Sequence, residues 1–412
     1  MKRLVVHCMA LVSLAFLVTG CAAGVAQGPT AESRKVPGAA TEEALVKPFA
    51  HADGSPFRVA VVQSGDYFAY NDVFESIYNG LTDLGWTGKV VLSPAEKVTV
   101  PMMLAAYQAK GGTYLSFDPL GYVDLNWTEE TEAPQALRNL LEGRGNADLV
   151  ISLGTLAGTF AAKISSEGKL KVPVMVESVS DPLGSKIISS FADSGHELIT
   201  SSSDPLMYDR QIRFFHKVVG FKKLGLIYTD TETGRAYAAL PTVTKASQDL
   251  GFSIVPDTEV MEDPPNPADI PKAEAAYVAA LERLAPKIDA VYLAIQAGLT
   301  DASLPAILEV AYRHKLPTFI MEGSNFVWKG TLFGESASLL AIEGLYSARK
   351  LSRVLKGEKL RFLPQSNPHM PHIAVNLATA RKIGFDVPID VLLGADDVYT
   401  DFMPVPVQEV KK

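Results

Sequence analysis

The chain has 412 residues, with 38 Lys and Arg against 46 Asp and Glu and a formal net charge of −8 at pH 7. This acidic balance argues against a nucleic acid partner, which would require a basic surface. The length is enough for two domains of ordinary size, and an apolar content of 47% is typical of a globular protein.

The N-terminus has the layout of a secretory signal peptide. A short basic start precedes an apolar run over 4–18, which is too short to span a bilayer as a helix. The following VTGC (18–21) resembles a bacterial lipobox, and an ordinary cleavage site that happens to contain a cysteine is the alternative. We therefore expect residues 1–20 to be a signal peptide. We expect Cys21 to be acylated and to hold the protein on the cell envelope, in the periplasm or at the outer membrane.

The segment after the lipobox-like sequence is interpreted as a tether. Cleavage at residue 20 would remove Cys8 and leave Cys21 as the remaining cysteine, so no disulfide, cysteine nucleophile or thiolate metal site is expected. Residues 21–56 are rich in Ala, Gly, Pro and charged residues and lack apolar periodicity. Such a segment cannot bury enough apolar surface to fold. We predict that 21–56 is a lipidated flexible tether.

From Phe57 onward, short runs of Val, Ile and Leu alternate with amphipathic stretches. Continuous apolar runs indicate strands that are buried on both faces of a parallel sheet. Their alternation with helical stretches, such as 73–84 and 211–218, indicates βαβ units and a doubly wound α/β fold. About nine strands are too many for one compact sheet, so we predict two lobes. The predicted strands are 58–64, 89–93, 147–154, 172–178, 223–230, 252–256, 289–296, 317–322 and 330–335.

One segment, 112–132, interrupts this alternation. It is aromatic, acidic and loop-like in composition. A ligand lid and a surface insertion are both consistent with a long loop of this kind.

Polar residues at the ends of the predicted strands are the candidate binding residues, because ligands of open α/β sheets bind beyond the carboxyl ends of the strands. Hydroxyls, carboxylates, tyrosines and an amide form the combination expected of a cleft for a small molecule. The alternative for each residue is a place in a turn, since turns favour Ser, Thr, Asp and Gly. The candidates are Ser64, Asp66, Tyr67, Tyr70, Thr155, Ser178, Ser180, Asp181, Thr229, Gln296 and Glu322.

Catalytic and metal-binding signals are weak. The sequence has no GxSxG, HExxH or Walker motif. His369 and His372 form the one close pair of histidines, and a pair without a third ligand is a poor metal site. The glycines of SLGTLAG (152–158) lack GxGxxG spacing, although amides at a helix N-terminus there could hold a carboxylate. We therefore expect no catalytic activity, no metal and no cofactor.

Several segments resemble the solute-binding proteins of ABC importers, in particular the subgroup associated with tryptophan and tyrosine uptake. The C-terminal segment is the most specific of these. The resemblance covers about residues 57–400. It departs from the family at Tyr67-Phe68, where a His-Pro pair is usual, at 193–196, where Gly-Gly-Asn is usual, and in the extra segment 112–132. The similar segments are YNDVFESIYNGLTDLGW (70–86), ADLVISLGTLAGTFAA (147–162), VPVMVESVSDPLGSKII (172–188) and IAVNLATARKIGFDVPIDVLLGADDVY (373–399).

The resemblance implies a type I periplasmic-binding fold, in which two Rossmann-like lobes with parallel sheets are joined by a hinge of several chain crossings. The implied N-terminal lobe is 57–182 plus 323–360, and the implied C-terminal lobe is 183–322 plus 361–403. The crossings would lie near Asp181, Glu322 and Lys359.

The resemblance also implies a site and a function. Thr155 and Ser180 would hold a carboxylate, and the tyrosines near 67–70 would stack on the ligand. The protein would capture a small molecule, an aromatic or other amino acid by resemblance, and deliver it to a permease and an ATPase. Two alternatives are a lipid-anchored sensing subunit for a membrane receptor and an envelope enzyme that uses Asp66, Asp181 and Glu322 as acid and base. The residues that match family contact positions are Ser64, Tyr67, Thr155, Ser180, Asp181, Asp204, Thr229 and Gln296.

Overall fold

The computed structural model describes most of the chain after residue 41. The predicted signal peptide, Cys21, Glu322 and His369 lie outside the described residues. Within the described part, the strands form one sheet of five strands and one of seven. The described residues are 42–92, 98–128, 130–261, 267–321, 323, 325–336, 338–368 and 370–403.

The first sheet has the order β2-β1-β3-β4-β5, and all of its strands are parallel. Every residue of β3 and β4 is buried, because helices cover both faces of the sheet. This explains why the sequence of these strands is continuously apolar. The strands are β1 Phe57–Gln63, β2 Leu115–Asp124, β3 Leu149–Leu153, β4 Val174–Glu177 and β5 Ile199–Ser201.

The second sheet has the order β12-β11-β10-β9-β8-β6-β7. Its strands are parallel except at the β10–β11 pair, which is antiparallel. The strands are β6 Lys223–Ile227, β7 Ser253–Asp257, β8 Ala290–Leu293, β9 Thr318–Ile320, β10 Phe333–Glu335, β11 Ile373–Asn376 and β12 Asp397–Tyr399.

The helices flank both sheets. No helix in the described part of the chain is long and apolar enough to cross a membrane. Short 3₁₀ turns lie at Pro267–Asp269, Ala285–Lys287 and Leu360–Phe362, and a π turn lies at Leu140–Arg144. The α-helices are α1 Glu42–Val46, α2 Phe68–Asp83, α3 Val100–Lys110, α4 Gln135–Asn139, α5 Thr155–Ser166, α6 Met207–Val219, α7 Glu232–Tyr237, α8 Leu240–Leu250, α9 Ile270–Leu284, α10 Leu304–Arg313, α11 Asn325–Lys329, α12 Ser338–Leu355, α13 Leu377–Ile383 and α14 Ile389–Gly394.

Helix α12 follows a strand of the second sheet but packs against the first. Its residues Ala348 and Leu351 belong to the same buried cluster as β1 and α2. Gly344 allows the two helices to approach closely, since a Cβ atom at Gly344 would lie 2.2 Å from the backbone oxygen of Ser76 on α2. We use "first half" for the first sheet with the helices packed on it, including α12, and "second half" for the second sheet with its helices.

Within the part of the chain that the structure describes, the backbone crosses between the two halves three times. It leaves the first sheet after Ser201, returns between Glu335 and α12, and leaves again between Leu363, which packs in the first core, and β11. The predicted crossings near Asp181 and Glu322 are therefore wrong, as are the lobe boundaries placed there. The first crossing is misplaced because β5 has three residues, too few to give a periodic signal in the sequence. The second is misplaced because the predicted strand 330–335, which contains β10, belongs to the second sheet and not to the first.

Two further predictions for the first sheet are wrong. The described residues of the run 89–93 form no strand, and the segment 112–132, whose composition is typical of a loop, contains β2 at the edge of the sheet. A proline and a glycine interrupt the apolar pattern of β2, and its pairing with β1 shifts register between Val59 and Val61. An edge strand tolerates both residues, so the sequence pattern does not reveal it.

Residues 42–56 pack against the first half and are not part of a flexible tether. The indole Nε1 of Trp86 donates a hydrogen bond to the backbone oxygen of Val46, at 2.9 Å. The Phe49 ring makes edge contacts with Phe57 and Trp86, with centroids 5.0 and 5.7 Å apart. The predicted tether 21–56 is therefore wrong from Glu42 onward, because Val46 and Phe49 give this segment contacts with a buried core.

Candidate functional site

The two halves enclose a cavity next to the three chain crossings. It contains about 140 Å³ of space that water can occupy. The start of α2, the loop after β4, the crossing after β5, the end of β10 and the start of α12 form its walls. We call it the crossing cavity.

A buried glutamate and a buried lysine lie beside this cavity. Glu177, at the end of β4, is 4% exposed and accepts hydrogen bonds from Ser202 Oγ at 3.1 Å and Ser347 Oγ at 2.9 Å. Lys350 Nζ, on α12, donates to Ser201 O, Ser202 Oγ and Pro364 O at 2.7, 3.0 and 2.7 Å. Together these bonds connect β4, the first crossing, α12 and the third crossing.

Burial shifts the pKa values of this pair in opposite directions. It raises the pKa of Glu177 and lowers the pKa of Lys350, since both charged forms lose hydration. The charge of each group opposes the shift of the other. The pair is therefore sensitive to the loss of either partner, which would leave one charge buried alone.

Gln365 fixes the third crossing to the first sheet. Its Oε1 accepts hydrogen bonds from Ser201 N at 2.7 Å and Thr200 Oγ1 at 3.2 Å, and its Nε2 donates to Leu360 O at 3.2 Å. Sequence reasoning missed Glu177, Lys350 and Gln365. Glu177 could have been identified, because an acidic residue within the apolar run VPVMVES indicates a buried carboxylate that needs partners.

The described lining of the crossing cavity is acidic and rich in hydroxyls. It contains five carboxylates and seven serines but no lysine, arginine or histidine. Phenylalanine, valine, isoleucine and leucine side chains of α2 and α12 supply an apolar part. The carboxylates are Asp72, Glu177, Asp204, Glu335 and Glu343.

Three predicted binding residues line this cavity: Ser178, Ser180 and Asp204. Ser178 has a φ of 54°, which turns the chain away from β4. Asp204 is held in its own turn, where it accepts from Leu206 N at 3.0 Å and from both terminal nitrogens of Arg210. Its side chain is 1% exposed, so this carboxylate has a structural role in the first crossing.

A second meeting point of the two halves is aromatic. Tyr67 and Phe68, after β1, line a small space with Gln296 and other residues at the ends of β8 and β9. The rings of Phe68 and Phe326 lie 5.4 Å apart at an interplanar angle of 62°, and those of Tyr67 and Phe68 lie 4.5 Å apart. We call Tyr67, Phe68 and Phe326 the aromatic contact. It joins the carboxyl ends of strands from both sheets, as a cleft between them requires.

Thr229 and Gln296, both predicted from strand ends, are adjacent in the second half. Gln296 Oε1 accepts from Thr229 N at 3.1 Å and from Thr229 Oγ1 at 3.4 Å, and its Nε2 donates to Gly234 O at 3.4 Å. Both side chains are buried. These bonds connect the loop after β6 to the end of β8.

Ser64, which follows β1, and Tyr70, on α2, lie close to the start of α5, where Thr155 is the first residue. Ser64 Oγ donates to Leu153 O and accepts from Ala157 N, each at 3.1 Å, and the side chain is buried. A Cβ atom at Gly154 would lie 2.0 Å from the Tyr70 hydroxyl oxygen, so glycine is needed where this ring approaches. Ser64 therefore connects β1, β3 and α5.

Trp127 lies beside the predicted site residues Ser64 and Tyr70, and sequence reasoning did not identify it. It follows β2, its backbone N donates to Ser64 O at 2.8 Å, and its ring lies 6.0 Å from that of Tyr70. The indole covers Gly65, where a Cβ atom would lie 2.2 Å from Trp127 Nε1. The only signal was the aromatic composition of 112–132, which did not specify where the tryptophan would lie.

The remaining candidates lie elsewhere. Asp66 and Asp181 are exposed, and Asp181 Oδ1 accepts from Gly184 N at 2.8 Å in a turn. Asp66, Thr155 and Asp181 are not among the described lining residues of the crossing cavity. Glu322, the third acid of the enzyme alternative, lies outside the described residues. Within the described part of the chain, no group of three His, Cys, Asp or Glu side chains is arranged to hold a metal ion.

Solved structures from three bacteria share this fold. A conserved domain protein from Vibrio cholerae has 18% identity and a TM-score of 0.60, and it covers 84% of this chain and 100% of its own. A Streptococcus pneumoniae ABC domain in complex with L-Trp has 16% identity, a TM-score of 0.57 and coverage of 82% and 99%. An open, ligand-free substrate-binding protein with adhesive properties from Clostridium difficile has 16% identity, a TM-score of 0.56 and coverage of 84% and 100%.

The family is established by sequence. No curated protein matches this chain significantly. A family model described as "ABC transporter substrate binding protein" matches residues 126–399, which is more than half of the chain. The matched range includes Trp127, Glu177, Lys350 and the ends of strands β3 to β11. This chain therefore belongs to the ABC transporter substrate-binding protein family.

Proposed function

We propose that this protein is an extracytoplasmic solute-binding lipoprotein. It captures a small molecule between its two halves and delivers it to the permease and ATPase subunits of an ABC importer. The observation that carries the proposal is the crossing cavity, a lined space between two sheets that are joined by three chain crossings. Family membership adds a small ligand and ABC transporter subunits as partners.

The crossings give the mechanism. Three short connections between two packed halves form a hinge about which the halves open and close. Ligand contacts made by both halves favour the closed form, in which the aromatic contact brings Phe68 against Phe326. The permease then recognises the closed form.

An aromatic or other amino acid is the proposed ligand class. The fold neighbour from Streptococcus pneumoniae carries L-Trp, and this chain places two aromatic rings, Tyr70 and Trp127, on the first half beside the N-terminus of α5. Ser180 lines the crossing cavity, whereas Thr155, Tyr70 and Trp127 lie outside its described lining. In this proposal the closed cleft includes both places, so that Thr155 and Ser180 hold the carboxylate and Tyr70 and Trp127 stack on the side chain. No chemical step on the ligand is proposed.

The proposed location at the cell envelope depends on the N-terminal segment. Acylation of Cys21 anchors the protein to a membrane, and residues before Glu42 connect the anchor to the folded part. The mass of the N-terminal peptide of the mature protein tests this, because an unmodified Cys21 contradicts it.

Ligand capture is tested on purified full-length protein in detergent. Thermal shifts are measured with amino acids, amines, sugars and nucleosides, and bound masses are read by native mass spectrometry. A ligand at 100 times its Kd adds about 2.7 kcal/mol to the free energy of unfolding. The proposal fails if folded protein binds no compound of any class and carries none from its host.

Tryptophan fluorescence locates the binding event. Trp127 lies beside Tyr70 in the first half, whereas Trp328 stacks on Tyr399 in the second, with centroids 5.9 Å apart. We expect Trp127→Phe to remove the ligand-induced change in emission and Trp328→Phe, the matched control, to retain it. The reverse result would place the ligand outside the proposed cleft.

A further inference from the structure

We propose that the crossing cavity binds the protonated amine of the solute, so that the solute carries an ammonium group and a compact apolar portion and has no net negative charge. This inference rests on the proposed function and specifies the ligand of the same site. It follows from the charges, the unpaired groups and the size of the cavity.

The first argument is the charge of the wall. Asp72 on α2, Glu335 on β10 and Glu343 on α12 reach the cavity from three separate elements, and no described lining residue is basic. Glu177, which accepts hydrogen bonds from serine hydroxyls, and Asp204, which binds Arg210, line it as well. An anionic solute would be repelled by such a wall, whereas a cation is attracted by it.

The second argument is an unused carboxylate. Within the described residues, the carboxylate of Asp72 takes part in no hydrogen bond or ion pair. Lys329, the cation that acts on it electrostatically, is bonded to Asp301 at 2.6 Å. Burial raises the pKa of Asp72 to about 6, with a further contribution from Glu75. A cationic group in the cavity would offset this cost of burial.

The third argument is an unpaired hydroxyl. Ser203 lines the cavity, and its Oγ is buried with no hydrogen-bond partner among the described residues. A buried polar atom without a partner is destabilising, and rotation of the Ser203 side chain toward an N–H donor of a ligand in the cavity would give it one. An ammonium group has three such donors and no acceptor, which fits a wall made of carboxylate and hydroxyl oxygens.

Size and composition define the rest of the solute. A space of about 140 Å³ is similar to an engineered apolar cavity of about 150 Å³ that binds benzene. Phe68, Val73 and Leu339 supply apolar surface beside the acids. A metal ion is a poorer occupant, since the described acids do not form a group that could hold one. The fitting solute is an amine with one ring or a short chain.

The test uses a series of probes with one shape and three charges. Calorimetry on the full-length protein at pH 7.5 compares benzylamine, benzyl alcohol and benzoate, with L-phenylalanine as a zwitterion. We expect benzylamine to bind at least about tenfold more tightly than benzyl alcohol, which is the lower end for a hydrogen bond to a charged group, and benzoate not to bind. Equal binding of amine and alcohol, or tighter binding of benzoate, overturns the inference.

Variants assign the effect to the cavity. Asp72→Asn and Glu343→Gln should each weaken benzylamine about 10- to 100-fold. Asp83→Asn, which removes an exposed carboxylate at the end of the same helix, should change the affinity less than twofold. Circular dichroism confirms folding, and Glu343→Gln keeps the test decisive if Asp72→Asn does not fold. Unchanged amine affinity in the folded variants overturns the inference.

The outcomes separate this inference from the function on which it rests. Binding of benzoate or sugars without amines leaves solute capture intact and rejects the cation. Failure of folded protein to bind a compound of any class rejects solute capture itself.

Discussion

The crossing cavity and the aromatic contact are two places where the same two halves meet, and they are built differently. Around the crossing cavity, Glu177, Lys350 and Gln365 make directional hydrogen bonds that join four chain segments. At the aromatic contact, Phe68 and Phe326 meet through ring packing. Directional bonds fix a geometry where the chain is continuous, while apolar contacts separate and reform without leaving a polar group unpaired. For the proposed opening and closing, this difference predicts that the crossings act as the hinge and that the aromatic contact is where the two halves separate.

The largest expected effect comes from the hinge. Lys350→Met should lower the free energy of unfolding by about 3–5 kcal/mol, because it leaves Glu177 buried without its countercharge and removes three hydrogen bonds. Urea denaturation measures the change. Lys359→Met, at an exposed position near the third crossing, is the matched control and should change stability by less than about 0.5 kcal/mol.

A double substitution sharpens this test. If Lys350→Met acts through the Glu177 charge, adding Glu177→Gln should recover part of the lost stability. Additive losses in the double variant would mean that the two side chains act independently, and the hinge would then not depend on their charges.

The aromatic contact should give a smaller effect of a different kind. Phe68→Ala removes a half-buried ring between the halves, so we expect a loss of about 1–2 kcal/mol, below the cost for a fully buried ring. We also expect a larger radius of gyration in small-angle X-ray scattering, since the open form gains population. Phe362→Ala is the control, because that ring is 59% exposed. A variant that unfolds as readily as Lys350→Met would erase the distinction between the hinge and the aromatic contact.

The smallest expected effect is a gain in stability that depends on pH. Burial raises the pKa of Asp72 above its value in the unfolded chain, to about 6. The ionised carboxylate therefore destabilises the folded state above pH 6, and this penalty disappears below about pH 4, where both states are protonated. Asp72→Asn should stabilise the ligand-free protein by about 1 kcal/mol at pH 8. Glu75, Lys329 and Asp301 are the charged groups that act on the pKa of Asp72, and Glu335 and Glu343 line the same cavity.

Measurement of unfolding from pH 4 to pH 8 checks this prediction. The stability difference between Asp72→Asn and the unchanged protein should grow with pH, whereas Asp83→Asn should show no such trend. A difference that is constant with pH would show that the ionised Asp72 carboxylate does not destabilise the folded state. That result would remove one argument for a cation in the cavity.

Strands with strong apolar runs could be predicted because a strand that is buried on both faces needs apolar residues at nearly every position. The runs at 58–64, 147–154 and 172–178 correspond to β1, β3 and β4. Helix α2 was equally visible through the spacing of Phe74, Ile77 and Leu81, all of which are buried. In each case a local pattern reports directly on local burial.

The site was predicted only in part, because strand ends indicate which residues approach the cleft but not what each one bonds to. Ser178 and Ser180 line the crossing cavity as the strand-end rule predicts. Ser64 lies in the expected place, but its hydroxyl bonds Leu153 and Ala157 within the first half. Its role as a ligand contact stays a prediction.

The sequence by itself determined the α/β class, the order of most strands and helices along the chain, and family membership. Only the tertiary structure decided which sheet receives β2, β5 and β10, because short or interrupted strands gain their stability from neighbours that are distant in sequence. It also decided that Asp72 on α2 and Glu343 on α12 line one cavity. These two residues are far apart in the sequence, so no local pattern predicts that they meet. The charge of the cavity wall depends on which residues folding brings together.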